Sequence, residues 1–237
     1  MDLKKVLCLV IMGFTLALGL AAPVTAQAGQ TTIHVAKPLA DGTVTITFTA
    51  NGVTQTVTVD IKGTDSVFDK QRKIRDALTA KGYTARTGSD RNGQFVWITN
   101  LPNGTQVTVN MGTTGEATDG ATSAQATTGT ISFSGVFSST GADGQPAVFT
   151  AGVTTGRGDV IVAYVAQGLP PGSTLPGSFV ASQLFGRLAC GLADLGVSAS
   201  LAGEQIQVTF DGTLEGDRGI FFGTTVAEKG VSGALGN

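Results

Sequence analysis

Leu78-Thr79-Ala80-Lys81-Gly82-Tyr83-Thr84-Ala85 is echoed 114 positions later by Leu192-Ala193-Asp194-Leu195-Gly196-Val197-Ser198-Ala199. In each copy a leucine-bearing helical stretch meets a glycine and passes into a strand-like run. Glycine adopts the left-handed conformation that ends a helix at no steric cost. Internal similarity of this kind predicts one supersecondary unit used twice.

Reading outward from the first copy, Thr43 to Thr49 alternates strictly, with Val44, Ile46 and Phe48 on one face, as a half-buried strand requires. Asn51-Gly52 supplies the turn, and Thr54 to Ile61 alternates again with Val57, Val59 and Ile61 inward. Thr64 and Asp65 are N-cap candidates for a helix reaching Lys81, with Val67, Ile74, Ala77 and Leu78 on its apolar stripe. Beyond Gly82, Thr84 to Thr87 and Phe95 to Ile98 make a hairpin about Asn92-Gly93, followed by an edge strand at Thr105 to Val109.

Around the second copy the order repeats. Strands are expected at Thr130 to Phe137, Ala147 to Ala151 and Asp159 to Ala166. A helix from Ser178 to Leu195 follows, with Ala181, Leu184, Phe185, Leu188, Leu192 and Leu195 on one stripe. A hairpin turns at Gly203, and a last strand runs through Ile220 to Phe222, Thr225 and Val226. Between the copies, residues 112–129 are almost all Thr, Gly, Ala and Ser and read as a linker. The expected class is α+β and β-rich. It consists of two tandem ββαβ-type modules, residues 29–111 and 130–237, each an antiparallel sheet covered by one helix.

Residues 1–28 read as a secretory signal: Lys4 and Lys5, an apolar run from Val6 to Ala22, then Ala26-Gln27-Ala28 as the cleavage site. That run is shorter than the roughly 20 apolar residues of a spanning helix, and no later segment is apolar enough to span. The expectation is a secreted or surface protein, in the periplasm or outside the cell, with no transmembrane segment after processing. Without Asp2, Lys4, Lys5 and Cys8 the chain keeps 13 basic and 16 acidic residues, one histidine and one cysteine. Its formal charge of −3 disfavours nucleic acid, whose phosphates need a basic stripe. The Lys70, Arg72, Lys73, Arg75 cluster is broken by Asp69 and Asp76 and reads as a solvated helix face.

The residues that carry a family resemblance are Asn51-Gly52-Val53, Ile74 and Leu78, Gly82-Tyr83-Thr84-Ala85 and Phe95-Val96-Trp97-Ile98. A second set is Leu188, Leu192, Gly196-Val197-Ser198-Ala199 and Ile206-Gln207-Val208. This pattern resembles the flagellin hook IN module, a small ββαβ-type unit of surface filament proteins. Arg75-Asp76 stands where that family has Ile-Asn, and the helical flagellin termini are absent. The resemblance implies an extracellular module without an enzymatic role.

Candidate chemistry is sparse. His34 lies far from any nucleophile elbow, and one His with one Cys is a poor zinc set. No catalytic residue and no cofactor is therefore assigned. Asp211, Glu215 and Asp217 crowd one Gly-rich loop and form a calcium candidate, against the alternative of solvated turn caps. Arg157-Gly158-Asp159 reads as a turn entering a strand. Cys190 falls on the polar face of its helix, which points to burial against a neighbouring element or subunit. The expected function is a non-enzymatic structural subunit that self-assembles into a homo-oligomer or polymer by strand addition. Its assembly residues are Thr31, Ile33, Val35, Ile220, Phe222 and Cys190, with the terminal strands pairing either between subunits or within one. A binding or adhesion module for a glycan or envelope component is the alternative.

Overall fold

The computed structural model describes residues 29–115, 119–227 and 230–236; the expected leader, including Cys8, lies outside them. The first half gives β1 (Gly29–Val35), β2 (Gly42–Ala50), β3 (Val53–Ile61), α1 (Val67–Ala80), β4 (Thr84–Asp90), β5 (Gly93–Leu101), β6 (Gln106–Asn110) and β7 (Asp119–Ser123). The second gives β8 (Thr128–Phe133), β9 (Val136–Ser138), β10 (Val148–Thr155), β11 (Gly158–Val165), β12 (Thr174–Pro176), α2 (Gly177–Leu188), β13 (Val197–Ala202), β14 (Gln205–Phe210), β15 (Arg218–Thr224) and β16 (Val231–Gly236).

Local structure follows the sequence closely. Asn51 and Gly52 take φ of 51° and 76°, the two left-handed residues of a type I′ turn. They pair β2 with β3 from Ala50 opposite Val53 to Gly42 opposite Ile61. The α1 N-cap is Ser66 rather than Thr64 or Asp65. Its hydroxyl accepts the Asp69 N–H at 3.1 Å while the Asp69 carboxylate accepts the Ser66 N–H, completing a capping box. Asp65 instead accepts the Lys62 N–H at 2.8 Å and closes the preceding turn.

The echoed octapeptides have the same backbone bonding. Lys81, Gly82 and Tyr83 donate to Leu78, Thr79 and Leu78; Leu195, Gly196 and Val197 donate to Leu192, Ala193 and Leu192. Gly82 and Gly196 both have positive φ, and the bonds to the two leucine carbonyls close a Schellman-type stop. One expectation changes: α2 ends at Leu188, and the rest of the expected helix to Leu195 is two single 3₁₀ turns, Ala189–Gly191 and Ala193–Leu195. Gly186 and Gly191 weaken helix there, and a Cβ on Gly191 would lie 2.9 Å from Val160, so the chain passes β11 too closely for a larger residue.

The strands form two seven-stranded antiparallel sheets. The front sheet runs β11-β10-β15-β7-β1-β5-β4 and the back sheet β13-β14-β8-β16-β6-β2-β3, with β9 and β12 as a small separate pair. Each sheet takes strands from both halves. The series β1-β2-β3-α1-β4-β5-β6-β7 has the same pairing pattern as β8-β10-β11-α2-β13-β14-β15-β16, with front and back exchanged. This corrects the expectation of two modules each with its own sheet. The stretch 112–129 is likewise not a linker: it contains β7, which is buried and joins β1 to β15 at the centre of the front sheet.

The facing sides of the sheets make the core. Ile33, Val96, Ala121, Ile220 and Phe222 meet Ile46, Val109, Ile131 and Leu235. Gly233 lets the sheets approach, since a Cβ there would fall 2.3 Å from the Phe222 ring. Helix α1 closes the open side beside β3, β4 and β5, and α2 the opposite side beside β10, β11 and the β8, β13 and β14 strands. Lys70, read from sequence as solvated, is fully buried on α1; its ammonium donates to the Thr114 carbonyl at 3.0 Å and lies 3.4 Å from Asp119. Among the described residues no helix is long and apolar enough to cross a membrane.

Candidate functional site

The expected assembly strands are not at an edge. Thr31, Ile33 and Val35 lie on β1 between β5 and β7, and Ile220 and Phe222 on β15 between β10 and β7; all five are buried. Their backbone donors and acceptors are already used in these ladders, so the terminal strands pair within the chain. Cys190 is exposed, its thiol 3.6 Å from the Gly186 carbonyl, so it stays on the polar side and no neighbouring element of the chain covers it, against the expected burial. The calcium candidates separate. Asp211 accepts from the Thr213 N–H and hydroxyl, both at 2.9 Å, whereas Asp217 faces a cleft of the front sheet. Among the described residues no three His, Cys, Asp or Glu side chains converge as a metal site.

That cleft is built by the twist of the front sheet. Phe95, His34, Gly120, Phe221 and Gly152 stand in register across the outer face of the front sheet. Aromatic rings lie over the glycines: a Cβ on Gly120 would meet the Phe221 ring at 2.6 Å, and one on Gly88 would meet Phe95 at 2.4 Å. Sheet twist carries diagonally opposite corners toward each other on one face. Here the β4–β5 turn reaches the start of β11, where Arg91 Nη2 lies 3.2 Å from Asp159 Oδ1. Asp159 also accepts from the Thr154 hydroxyl, so this part of Arg157-Gly158-Asp159 is engaged in the fold.

Beneath this clasp is a cleft of about 440 Å³ lined by His34, Asp90, Thr122, Thr154, Thr155 and Asp217 among others. His34 is 2% exposed, flanked by Phe95 and Phe221 at 5.8 and 5.4 Å between ring centres. Its Nε2 is 3.0 Å from Asp90 Oδ2, and its Nδ1 has no partner. The Thr122 hydroxyl, on a residue 3% exposed, is also unpartnered. Burial pushes the Asp217 carboxyl pKa up; His34 pulls it down and Asp90 adds to the rise. Sequence reading missed this site because its groups come from four strands and a loop between positions 34 and 217. The lone His34 in a strand and the acidic loop residue Asp217 were the visible signals, with nothing in the sequence to join them.

The sheet edges differ in chemistry. In the β10–β11 hairpin the outward backbone groups of β11 belong to Asp159, Ile161, Ala163 and Val165, as the ladder from Thr155 opposite Gly158 requires. Ile161 and Val165 are 47% and 43% exposed, and no charge or proline occurs from Val160 to Val165. Arg187 of α2 donates to the Ala163 carbonyl. The other front edge, β4, carries Arg86 and Asp90.

No family model matches the chain, and no curated protein matches it. Among solved structures, a crystal structure of the flagellar cap protein FliD from Helicobacter pylori is similar at a TM-score of 0.25 and 13% identity, covering 78% of this chain and 52% of that one. The chain thus spans about half the length of that protein, and a likeness at this level sets neither fold nor role.

Proposed function

We propose that this chain is an exported, non-enzymatic structural or surface subunit, built as an internal repeat, that self-associates by strand addition at β11. The free edge of β11 carries the proposal. Beyond Asp159, and apart from the Ala163 carbonyl that Arg187 holds, it presents outward backbone groups beside exposed Ile161 and Val165, with no charge, proline or bulge from Val160 to Val165. The occupant is the same strand of a second copy. An uncharged run from Val160 to Val165 pairs antiparallel with itself without opposing like charges, and a two-fold axis makes the contact self-complementary. Pairing displaces Arg187 from the Ala163 carbonyl and leaves the back-sheet edges β3 and β13 for the further contact that a filament or layer needs.

The test is the size of purified protein beginning at Gly29, by light scattering and negative-stain microscopy. The unaltered chain is expected as dimers or larger assemblies, and the Ile161→Lys, Val165→Lys double variant as a monomer with an unchanged circular dichroism spectrum. A chain that stays monomeric at high concentration, or a double variant that still assembles, overturns the proposal.

A further inference from the structure

The front-sheet cleft has a ligand preference that strand-edge assembly does not use. We infer that it binds a primary ammonium group, through unmet acceptors on His34 and Thr122 and the exposed carboxylate of Asp217. Two of the three are buried side chains that line the cleft, His34 and Thr122; the Nδ1 of one and the hydroxyl of the other are enclosed and have no partner. Leaving such groups unsatisfied is costly, and native interiors seldom do so without a ligand or function to match.

The polarity of the ligand follows from the hydrogen-bond roles. Nε2 of His34 faces the Asp90 carboxylate, which only accepts, so Nε2 carries the proton. In its neutral form the ring offers Nδ1 as an acceptor. Asp217 has no hydrogen-bond partner among the described residues and adds a second acceptor with charge. Thr122 adds a third oxygen. A primary ammonium carries three N–H donors and no acceptor, which fits this set.

The electrostatics agree. Asp90 and Asp217 line the cleft against Arg91, and Arg91 is paired with Asp159. Arg157 points away, its guanidinium lying against Gly196 and Leu214 rather than into the cleft. The desolvation that raises the Asp217 pKa is offset when a cation enters beside it.

The chain contains one histidine, so imidazole signals in a proton–carbon NMR spectrum report this site alone. The probes are n-butylammonium, n-butanol as its neutral counterpart, tetramethylammonium as a cation without N–H donors, and Nα-acetyl-lysine methylamide. Saturable shifts of the His34 ring are expected with n-butylammonium and absent with the two controls. Asp217→Asn is expected to weaken binding at least tenfold, about the worth of one charge-assisted hydrogen bond, with its thermal melt unchanged. Thr122→Val is expected to weaken it less. Tighter binding of the lysine amide than of n-butylammonium assigns the group to a protein side chain, and the reverse assigns it to a free amine. No ring shift with n-butylammonium, an equal response to n-butanol or tetramethylammonium, or unaltered binding in Asp217→Asn overturns the inference. None of these outcomes depends on whether the chain assembles.

Discussion

Across the outer face of the back sheet, Thr56, Thr47, Thr108, Ala234, Thr130 and Gln207 stand side by side in register, and none is buried. Across the outer face of the front sheet the neighbouring residues are Phe95, His34, Gly120, Phe221 and Gly152, in that order, and all but Phe95 are buried. The two sheets share one pairing pattern with the halves exchanged. Backbone topology therefore does not separate them; side-chain size does. Rings lying over glycines cover the front face under the Arg91–Asp159 clasp, while threonines leave the back face open to water. The cleft with unmet polar groups is on the face that closes.

The largest test of this contrast removes a ring. Phe221→Ala is expected to cost about 3 to 5 kcal/mol in denaturant unfolding, as for a buried aromatic, whereas Thr47→Ala on the back face should stay within about 0.5 kcal/mol. Equal costs would erase the distinction between the faces.

A milder change fills the space under the ring. Gly120→Val forces a side chain against Phe221 and the Ile220 carbonyl, 2.6 and 2.7 Å from where its Cβ would sit. Overpacking of this kind costs about 1 to 3 kcal/mol. Ala234→Val, in the central strand of the back sheet with its side chain half-exposed, should be nearly silent in the same melts.

The smallest effect sharpens the comparison between the two helix starts. Helix α1 has the Ser66 capping box, while α2 begins at Pro176 with no side-chain cap. Ser66→Ala is expected to cost about 1 kcal/mol. It also has a pH signature. Asp69 is held at about 2, below its ordinary 3.8, first by the Ser66 hydroxyl and then by Arg72. A lowered carboxyl pKa gives stability that is fully present above the ordinary value and lost as pH falls through about 2. In Ser66→Ala the Asp69 titration followed by NMR should move up toward the ordinary value, and the stability lost on acidification from the ordinary value down to about 2 should be smaller. An unmoved titration would place the cause elsewhere.

These faces also explain which parts of the fold could be read from sequence. Alternation at Val44, Ile46 and Phe48, the Asn51-Gly52 turn and the stops at Gly82 and Gly196 are local physics, and each is found in place. Strand β7 was illegible for a physical reason. Asp-Gly-Ala-Thr-Ser looks like linker because the sequence must be small where the Phe221 ring lies over Gly120 and where Ala121 packs beside Ile220. Its role as a central strand depends on partners about 90 residues away on either side, at Thr32 and Gly219. The candidate site was hidden by the same distance. Asp217 was visible as an acidic loop residue, but its nearness to His34 comes only from sheet twist.

The interleaving of the halves is the claim on which the cleft depends, since His34, Asp90 and Thr122 come from the first half and Thr154 and Asp217 from the second. It is tested most directly by expressing residues 29–127 and 128–237 as separate chains and recording circular dichroism and amide NMR spectra of each. The account predicts that neither alone shows the dispersed spectrum of a folded sheet, because each half lacks the neighbours of its central strands. A cooperative, well-dispersed β fold in either half would contradict it.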